Sequence, residues 1–424
     1  MQSKVNNIEN IKSLDFSKLH SALYVPTYHD GGWKTRQFAL QGYQNNVIAY
    51  RCIEEIVKAA INIKCKLYKN GEEITDLNSD DVGKLLMTPQ PMLNYSQFMT
   101  SFLTSYLYAG NAYILGFEGN LNGQNTDVPQ KLPTELRVLM PHEVEVRTPQ
   151  TDEYQVISYE HKPTKGKAVS YGVDPLKNLS RVFHAHTFNP FSPYIGMSPL
   201  QAAAYNVDIH NKGSRWNISL LDNSCAPSGI FKTAGSLTND GLSRFVEQIK
   251  NFFSGSKNAG RAMVLEEGLE FQQMGLSPKD MDFISSLDTS ARNIASAYGV
   301  PFSLILPSGS TYNNQKDSRV SLYENTVIPL YENLLQSLMQ WFSSITKETY
   351  TIKLDRDSIS ALEEKRQMRY DRMTQVVAAG ILTPNEARLE LGYEELNESE
   401  INNEQLNEDV KARLIEAYNK CRKL

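Results

Sequence analysis

Two serine–proline pairs, set far apart, do most to limit what this chain can fold into. Ser198-Pro199 and Ser277-Pro278 each read as a helix start. The hydroxyl accepts from an early backbone N–H, and the proline takes a position whose N–H would be unpaired anyway. From the first pair, Leu200, Ala203, Ala204, Val207, Trp216 and Leu220 carry a helix to about Asp222. From the second, Asp280 stands three residues after the cap as its reciprocal partner, and Gly299-Val300-Pro301 closes the helix after Tyr298. Between the two lies a unit of its own: a strand over Ser228–Thr233, an amphipathic helix over Asn239–Phe253, and one or two strands over Ala262–Leu276 broken at Gly268. A small α/β module is thus carried at the far end of a pair of long helices. The first helix is rich in small residues, Ala202, Ala203, Ala204, Gly213 and Ser214, which suits close packing either within one domain or between neighbouring subunits.

Upstream the pattern is mixed α+β. Residues 1–44 are polar and aromatic, turn at Asp30-Gly31-Gly32 and show no sustained period, so they read as an arm or irregular edge. From Asn46, Val47, Ile48, Cys52, Ile53, Ile56, Val57 and Ala60 recur at three and four, a helix buried on one face, followed by a strand over Ile63–Tyr68 and a tight turn at Asn70-Gly71. Asn94 caps a second helix whose stripe is Phe98, Met99, Phe102, Leu103, Tyr106 and Leu107, ended by Gly110. Strands follow over Ala112–Phe117, Leu136–Met140, Glu143–Arg147, Tyr154–Tyr159 and Val182–His186.

Downstream of Pro301, Leu306–Arg319 reads as a Gly/Ser/Asn-rich loop. A long helix with Val320, Tyr323, Val327, Leu330, Leu334, Leu335, Leu338 and Phe342 on one face follows it. Pro329 falls inside this helix, removing a hydrogen bond and crowding the preceding turn, so a kink is expected near Asn325. A strand over Thr349–Leu354 leads into a helical tail, where Glu386–Asp409 holds nine acids against Arg388 alone.

The chemistry is sparse. There is no Walker-type phosphate loop: Gly255-Ser256-Lys257-Asn258-Ala259-Gly260-Arg261 lacks the required order and reads as a flexible turn, with Lys257 and Arg261 as candidate phosphate contacts. His184 and His186 share one face of a strand, half of a metal site without companion spacing elsewhere. Cys52, Cys65, Cys225 and Cys421 lie too far apart for a C-x-x-C site and point to a reducing compartment. No G-x-S-x-G elbow surrounds any serine. The start of the chain has no apolar core of a secretory signal, and the longest uncharged stretch, Leu85–Phe117, is too interrupted to span a membrane. Lys and Arg number 43 against 48 Asp and Glu, a net charge of −5. That excludes a general, tightly gripping nucleic-acid binder but leaves open a duplex that slides past, since each cation on a phosphate would hold it back.

Taken in order, several stretches resemble the portal proteins of tailed bacteriophages, in the branch typified by lambdoid long-tailed phages. They are Tyr108–Ile114, Val182–Ala185, Gly196–Leu200, Ala226–Ile230, Asn258–Arg261, Leu276–Pro278, Ile294–Pro301, Thr311–Asn314, Val327–Leu330 and Gly380–Glu386. The resemblance implies an arm over 1–44, a mixed α/β wing over 45–196 completed by a kinked helix and strand over 319–354, and a two-helix stem over 197–225 and 277–304. It further implies a small clip over 226–276, a channel loop over 305–318 and a helical crown over 355–424.

It implies a ring of twelve identical subunits at one capsid vertex of the virion, assembled in the host cytoplasm, through which double-stranded DNA passes without sequence specificity. Terminase, the major capsid protein and a head–tail adaptor would be partners, with no enzyme activity, cofactor or membrane. Ser308, Ser310, Tyr312, Asn313, Asn314 and Lys316 would face the DNA, and Pro329 would be the hinge that sets their reach. Two other readings stand beside it: a metal-dependent hydrolase or nuclease using His184 and His186, and a monomeric adaptor or scaffold.

Overall fold

The computed structural model describes residues 35–118, 128–129, 131–149, 155–222, 229–232, 243, 247, 270–273, 283–306 and 312–393. It divides into two units, one of residues 1–61 and 66–352, the other of 62–65 and 353–424.

Of the arm expected over 1–44, residues 1–34 lie outside the described residues and the rest is helical. Thr35–Gln37 are helical and Phe38–Gln44 form a π-turn. Helix α1 (Val47–Ile61) buries Ile48, Cys52, Ile53, Ile56, Val57 and Ala60 of the stripe read from the sequence, while Val47, its first residue, is exposed. Asn46 starts it, its Oδ1 accepting from Ile48 N at 3.1 Å and Ala49 N at 3.0 Å. Strands β1 (Cys65–Lys69) and β2 (Glu72–Glu73) meet at Asn70 and Gly71, both at positive φ (52° and 93°), as a tight two-residue hairpin requires. Helix α2 (Asp81–Met87) is capped by Asp80, and α3 (Tyr95–Ala109) starts on a capping box between Asn94 and Gln97.

Strand β3 (Asn111–Phe117) lies between β4 (Glu135–Leu139) and β9 (Val182–His186), antiparallel to both, with Ile114 opposite Val138 and Phe183. The second sheet runs β5 (Val144–Arg147), β6 (Ser158–His161), β7 (Val169–Asp174) and β8 (Leu179–Ser180). The sequence reading put β6 earlier, over 154–159, and passed over β7 and β8. β3 is buried on both faces. Tyr113 and Leu115 join Leu139, Val144, Tyr159, Val169, Tyr171 and Val182 in one apolar cluster. Phe183, on the neighbouring strand, packs its ring 6.1 Å from Phe102 and 5.9 Å from Trp341. Each such aromatic contributes about 1.5–3 kcal/mol by leaving water.

Of the region after β9, α4 (Pro199–Ala202) and α5 (Ala204–Asp222) are separated at Ala203, so the first long helix is broken one turn in. Strands β10 (Gly229–Lys232) and β11 (Glu270–Gln273) pair antiparallel, Gly229 opposite Gln273. Within the expected helix over 239–253 only residues 243 and 247 are described, both helical. Helices α6 (Phe283–Ala297), α7 (Phe302–Ile305), α8 (Tyr312–Leu322) and α9 (Ile328–Thr346) follow, then β12 (Tyr350–Leu354), which joins β1 and β2 in a three-stranded sheet. The Ser277-Pro278 start lies outside the described residues.

The second unit carries α10 (Glu363–Ala378) and α11 (Pro384–Leu391). Thr383 and Glu386 cap α11 reciprocally, and Gly392 ends it at φ 88°. The hydroxyls of Tyr370 and Tyr393 meet at 2.6 Å. Of the acidic tail, everything beyond Tyr393 lies outside the described residues.

Candidate functional site

The site of interest is where the paired helices α5 and α6 leave the sheets, and where α6 passes on to α8. At its root two glycines touch backbone to backbone. Gly110 ends α3 at φ 71°, and a Cβ there would sit 2.6 Å from Ser198 N and 2.7 Å from Met197 C. A Cβ on Gly196 would sit 2.0 Å from the Gly110 carbonyl oxygen. Asn111, buried at 7% exposure, closes the contact. Its Nδ2 donates to the carbonyls of Ala109 (3.0 Å) and Gly196 (3.1 Å), and its Oδ1 accepts from Gly196 N (2.8 Å). Ser198 then caps the first turn, its Oγ accepting from Gln201 N at 3.1 Å. Two motifs far apart in the chain, Tyr108–Ile114 and Gly196–Leu200, are thereby one piece of structure.

His184 belongs to the same cluster. Because the Gly196 N–H fixes Asn111 Oδ1 as an acceptor, His184 donates through Nε2 at 3.1 Å and is the neutral Nε2–H tautomer. Its ring stacks on Tyr113 at 4.3 Å. Burial, with a smaller push from His186, holds its pKa well below the ordinary 6.5. His186 Nδ1 lies 3.1 Å from the Thr187 carbonyl, and among the described residues no third metal-ligating side chain joins the pair. His184 is thus built into a packing cluster, while His186 beside it is exposed.

Helices α5 and α6 pack together, with Val207 buried on the first and Ala291, Ile294 and Ala295 on the second. Asn293 Nδ2 donates to Asn206 Oδ1 at 3.1 Å. Behind them Asn46 Nδ2 donates to Asn211 Oδ1 (2.9 Å), and Asn211 Nδ2 to the Gln41 carbonyl (2.8 Å), tying α5 to the π-turn at 38–44. Of the small residues, Ala203 and Gly213 are buried within the chain, while Ala202 and Ser214 face outward.

Of the expected loop over 305–318, residues 307–311 lie outside the described residues and the others, Leu306 apart, are helical. α7 occupies 302–305, and α8 begins at Tyr312, so Asn313, Asn314 and Lys316 stand exposed on a helix. Composition misled here: Asn and Ser are only about 0.5 kcal/mol poorer than Ala in a helix, and no Gly or Pro interrupts 312–322. Ser318 Oγ donates to the Asn314 carbonyl (2.7 Å), leaving Ser303 Oγ to donate to Ser318 at 2.7 Å and tie α7 to α8. Ser308 and Ser310 lie outside the described residues, as do Lys257 and Arg261; Tyr312 is described in its backbone alone.

Near Pro329 the helix changes register. Tyr323–Val327 form a π-turn, with Ile328 N donating to the Tyr323 carbonyl, and Pro329 sits in the first turn of α9. Proline cannot donate to Asn325 four residues back, and the wider turn absorbs that loss. Gly299, at φ 66°, faces this turn: its carbonyl accepts from Thr326 Oγ1 at 2.8 Å. The sequence marked Pro329 but gave no sign of Thr326, Ser303 or the hub role of Asn111, because each acts on a partner distant in the chain.

Comparison with known proteins now bears on this arrangement. A family described as "Phage portal protein" matches residues 48–392. The chain is 36% identical over 387 residues to an uncharacterized protein of Rickettsia felis (strain ATCC VR-1525 / URRWXCal2), covering 90% of this chain and 94% of that one. It is 23% identical over 338 residues to the portal protein of Escherichia phage T5, covering 79% and 75%. Among solved structures it resembles a chain in the neck of the native gene transfer agent particle determined with C12 symmetry, with a TM-score of 0.62 and 28% identity over 89% of this chain and 99% of that one. The family match over residues 48–392, well over half of the chain, makes this chain a member of the phage portal protein family.

Proposed function

We propose that this chain is a structural subunit of a closed ring at one vertex of a phage capsid or related particle, a conduit for double-stranded DNA during packaging and ejection. The observation that carries the reading is the match of fold and sequence over 89% of the chain to a subunit of a C12-symmetric neck. Twelve copies, the wing over 45–196 with 319–354, the stem over 197–225 and 277–304, the clip over 226–276 and the crown over 355–424 are part of the proposal. So are docking of terminase and a head–tail adaptor, and contact with the major capsid protein. Its mechanism is geometric: identical subunits related by rotation enclose a channel, and the ATP-driven step belongs to a separate motor. A net charge of −5 suits a channel that does not grip phosphate.

Within this reading the segment between α7 and α8 and the start of α8 face the duplex, with Ser308, Ser310, Tyr312, Asn313, Asn314 and Lys316 as the DNA-facing residues. Pro329 and the π-turn before it form the hinge that sets their reach. Lys257 and Arg261 remain candidate phosphate contacts of the clip.

Negative-stain images of the purified protein test the ring: end-on views with a central hole are expected, and compact single subunits would overturn it. Deleting residues 308–311 in a particle that packages DNA tests the segment: loss of packaging or of DNA retention is expected, and unaltered titre would remove it from the channel.

A further inference from the structure

We infer that the ring contact is a knob in a hole: the loop bearing Phe188 and Phe191 of one subunit seats in the cleft between the 38–44 π-turn and α5 of its neighbour. This rests on the ring reading above. A cyclic ring of more than two copies joins unlike faces, so each subunit must carry two different, complementary patches.

The loop between β9 and α4 has the build of an anchor. Phe188 is 86% exposed and Phe191 78%, yet the backbone that holds them is fixed. Asn189, buried at 6% exposure, donates Nδ2 to the Ile195 carbonyl at 2.6 Å and accepts from Phe191 N at 3.0 Å. Ser192 Oγ accepts from Ile195 N at 3.1 Å, and Thr187 Oγ1 donates to the Met197 carbonyl at 2.7 Å. Two large apolar rings held outward on an ordered loop lose little freedom on docking, which is what a binding hot spot needs.

The receiving patch is a cleft of about 210 Å³ lined by Phe38, Gly42, Leu200, Ala204, Tyr205 and Val207, with Gln37, Gln41 and Asp208 at its polar edge. An apolar cavity of about 150 Å³ holds a benzene, so this one accepts a phenyl ring. Gly42 keeps it open: a Cβ there would fall 2.2 Å from Leu200 Cδ2 and drive that side chain outward. Tyr205, 56% exposed, is the wall left for a partner to cover. Apolar knob and apolar cleft lie on separate elements of one chain, as a head-to-tail contact demands.

Two measurements test this on the full chain. The double variant Phe188→Ser/Phe191→Ser is expected to keep the wild-type melting temperature of the single subunit while its ring assembly shifts to about tenfold higher protein concentration or more, read by analytical ultracentrifugation. A variant that assembles like wild type would overturn the proposal and leave the ring reading standing; wild-type protein that forms no ring would overturn both. Phe188→p-benzoylphenylalanine, irradiated in rings mixed from isotope-labelled and unlabelled chains, is expected to crosslink to residues 37–42 or 200–208 of a different copy. Crosslinks confined to the same copy, or to other segments, would overturn it.

Discussion

Thr326 donates its hydroxyl to the Gly299 carbonyl at 2.8 Å, and a Cβ on Gly299 would lie 2.7 Å from that same hydroxyl oxygen. The end of α6 and the π-turn before α9 are therefore held at a separation only glycine allows. Gly299→Ala must strain a backbone at φ 66° and displace Thr326. It is expected to lower unfolding free energy by about 2 kcal/mol, and Thr326→Val by about 1 kcal/mol. Urea denaturation of both singles and the double checks this; costs that simply add would show that the two residues act independently.

At the root of the helix pair the obstruction is backbone against backbone, which cannot yield as a side chain can. Among the described glycines, Gly196→Ala is expected to be the most damaging change, about 3 kcal/mol or more. Asn111→Ala, which strips partners from Gly196 and His184, is expected to cost about 2–3 kcal/mol. Thermal unfolding of each variant measures both.

His184 gives stability a pH dependence whose sign is fixed. Its folded pKa lies well below 6.5 while the unfolded chain titrates near 6.5, so below that pH the unfolded state binds the extra proton. Stability is full above about pH 6.5 and falls as the pH drops below it, by at most about 1.4 kcal/mol per unit from this group. His184→Gln, which retains a donor toward Asn111, is expected to flatten the slope between pH 6.5 and 5.5 in urea titrations. An unchanged slope would show that His184 is not the group responsible.

Asp80 gathers four donors: Val82 N (2.9 Å), Gly83 N (3.1 Å), the Tyr350 hydroxyl (2.9 Å) and Lys69 Nζ (3.4 Å). Desolvation pushes its pKa up, but these bonds outweigh it and the net shift is downward. Asp80→Ala is expected to cost about 2–3 kcal/mol, losing the cap of α2 and the shorter of the two bonds of the Tyr350 hydroxyl, which keeps Glu348 Oε2 at 3.2 Å, and Asp80→Asn less, because the cap survives. Guanidinium titrations of both, with Tyr350→Phe, separate the cap from the hydroxyl bond.

Local rules were legible where one element could satisfy them. The α1 stripe, the Asn94 and Ser198 caps, Gly110 as a helix end and the β9 strand follow from spacing and end chemistry alone. The α8 helix did not, because its Asn and Ser content resembles a loop and its support comes from Ser303 and from continuity with α9. Nor did the π-turn: Pro329 foretold an interruption near Asn325, but whether a proline kinks a helix or widens a turn depends on what faces it, here Gly299. The portal resemblance was carried by motifs whose meaning is spatial, and Asn111 shows why, since its partners at 184 and 196 are invisible to any local pattern.

That hub also sets a clock on biosynthesis. Asn111 and Gly196 are 85 residues apart, so at ~5–20 residues per second the ribosome needs ~4–17 s to deliver the partner after the asparagine has emerged. Until then the amide can bond only to water or to neighbours, and the loop between must be closed against its entropy. The paired helices therefore cannot be seated on a finished base before the polypeptide that precedes them has waited, half made, with β3 still open on one edge.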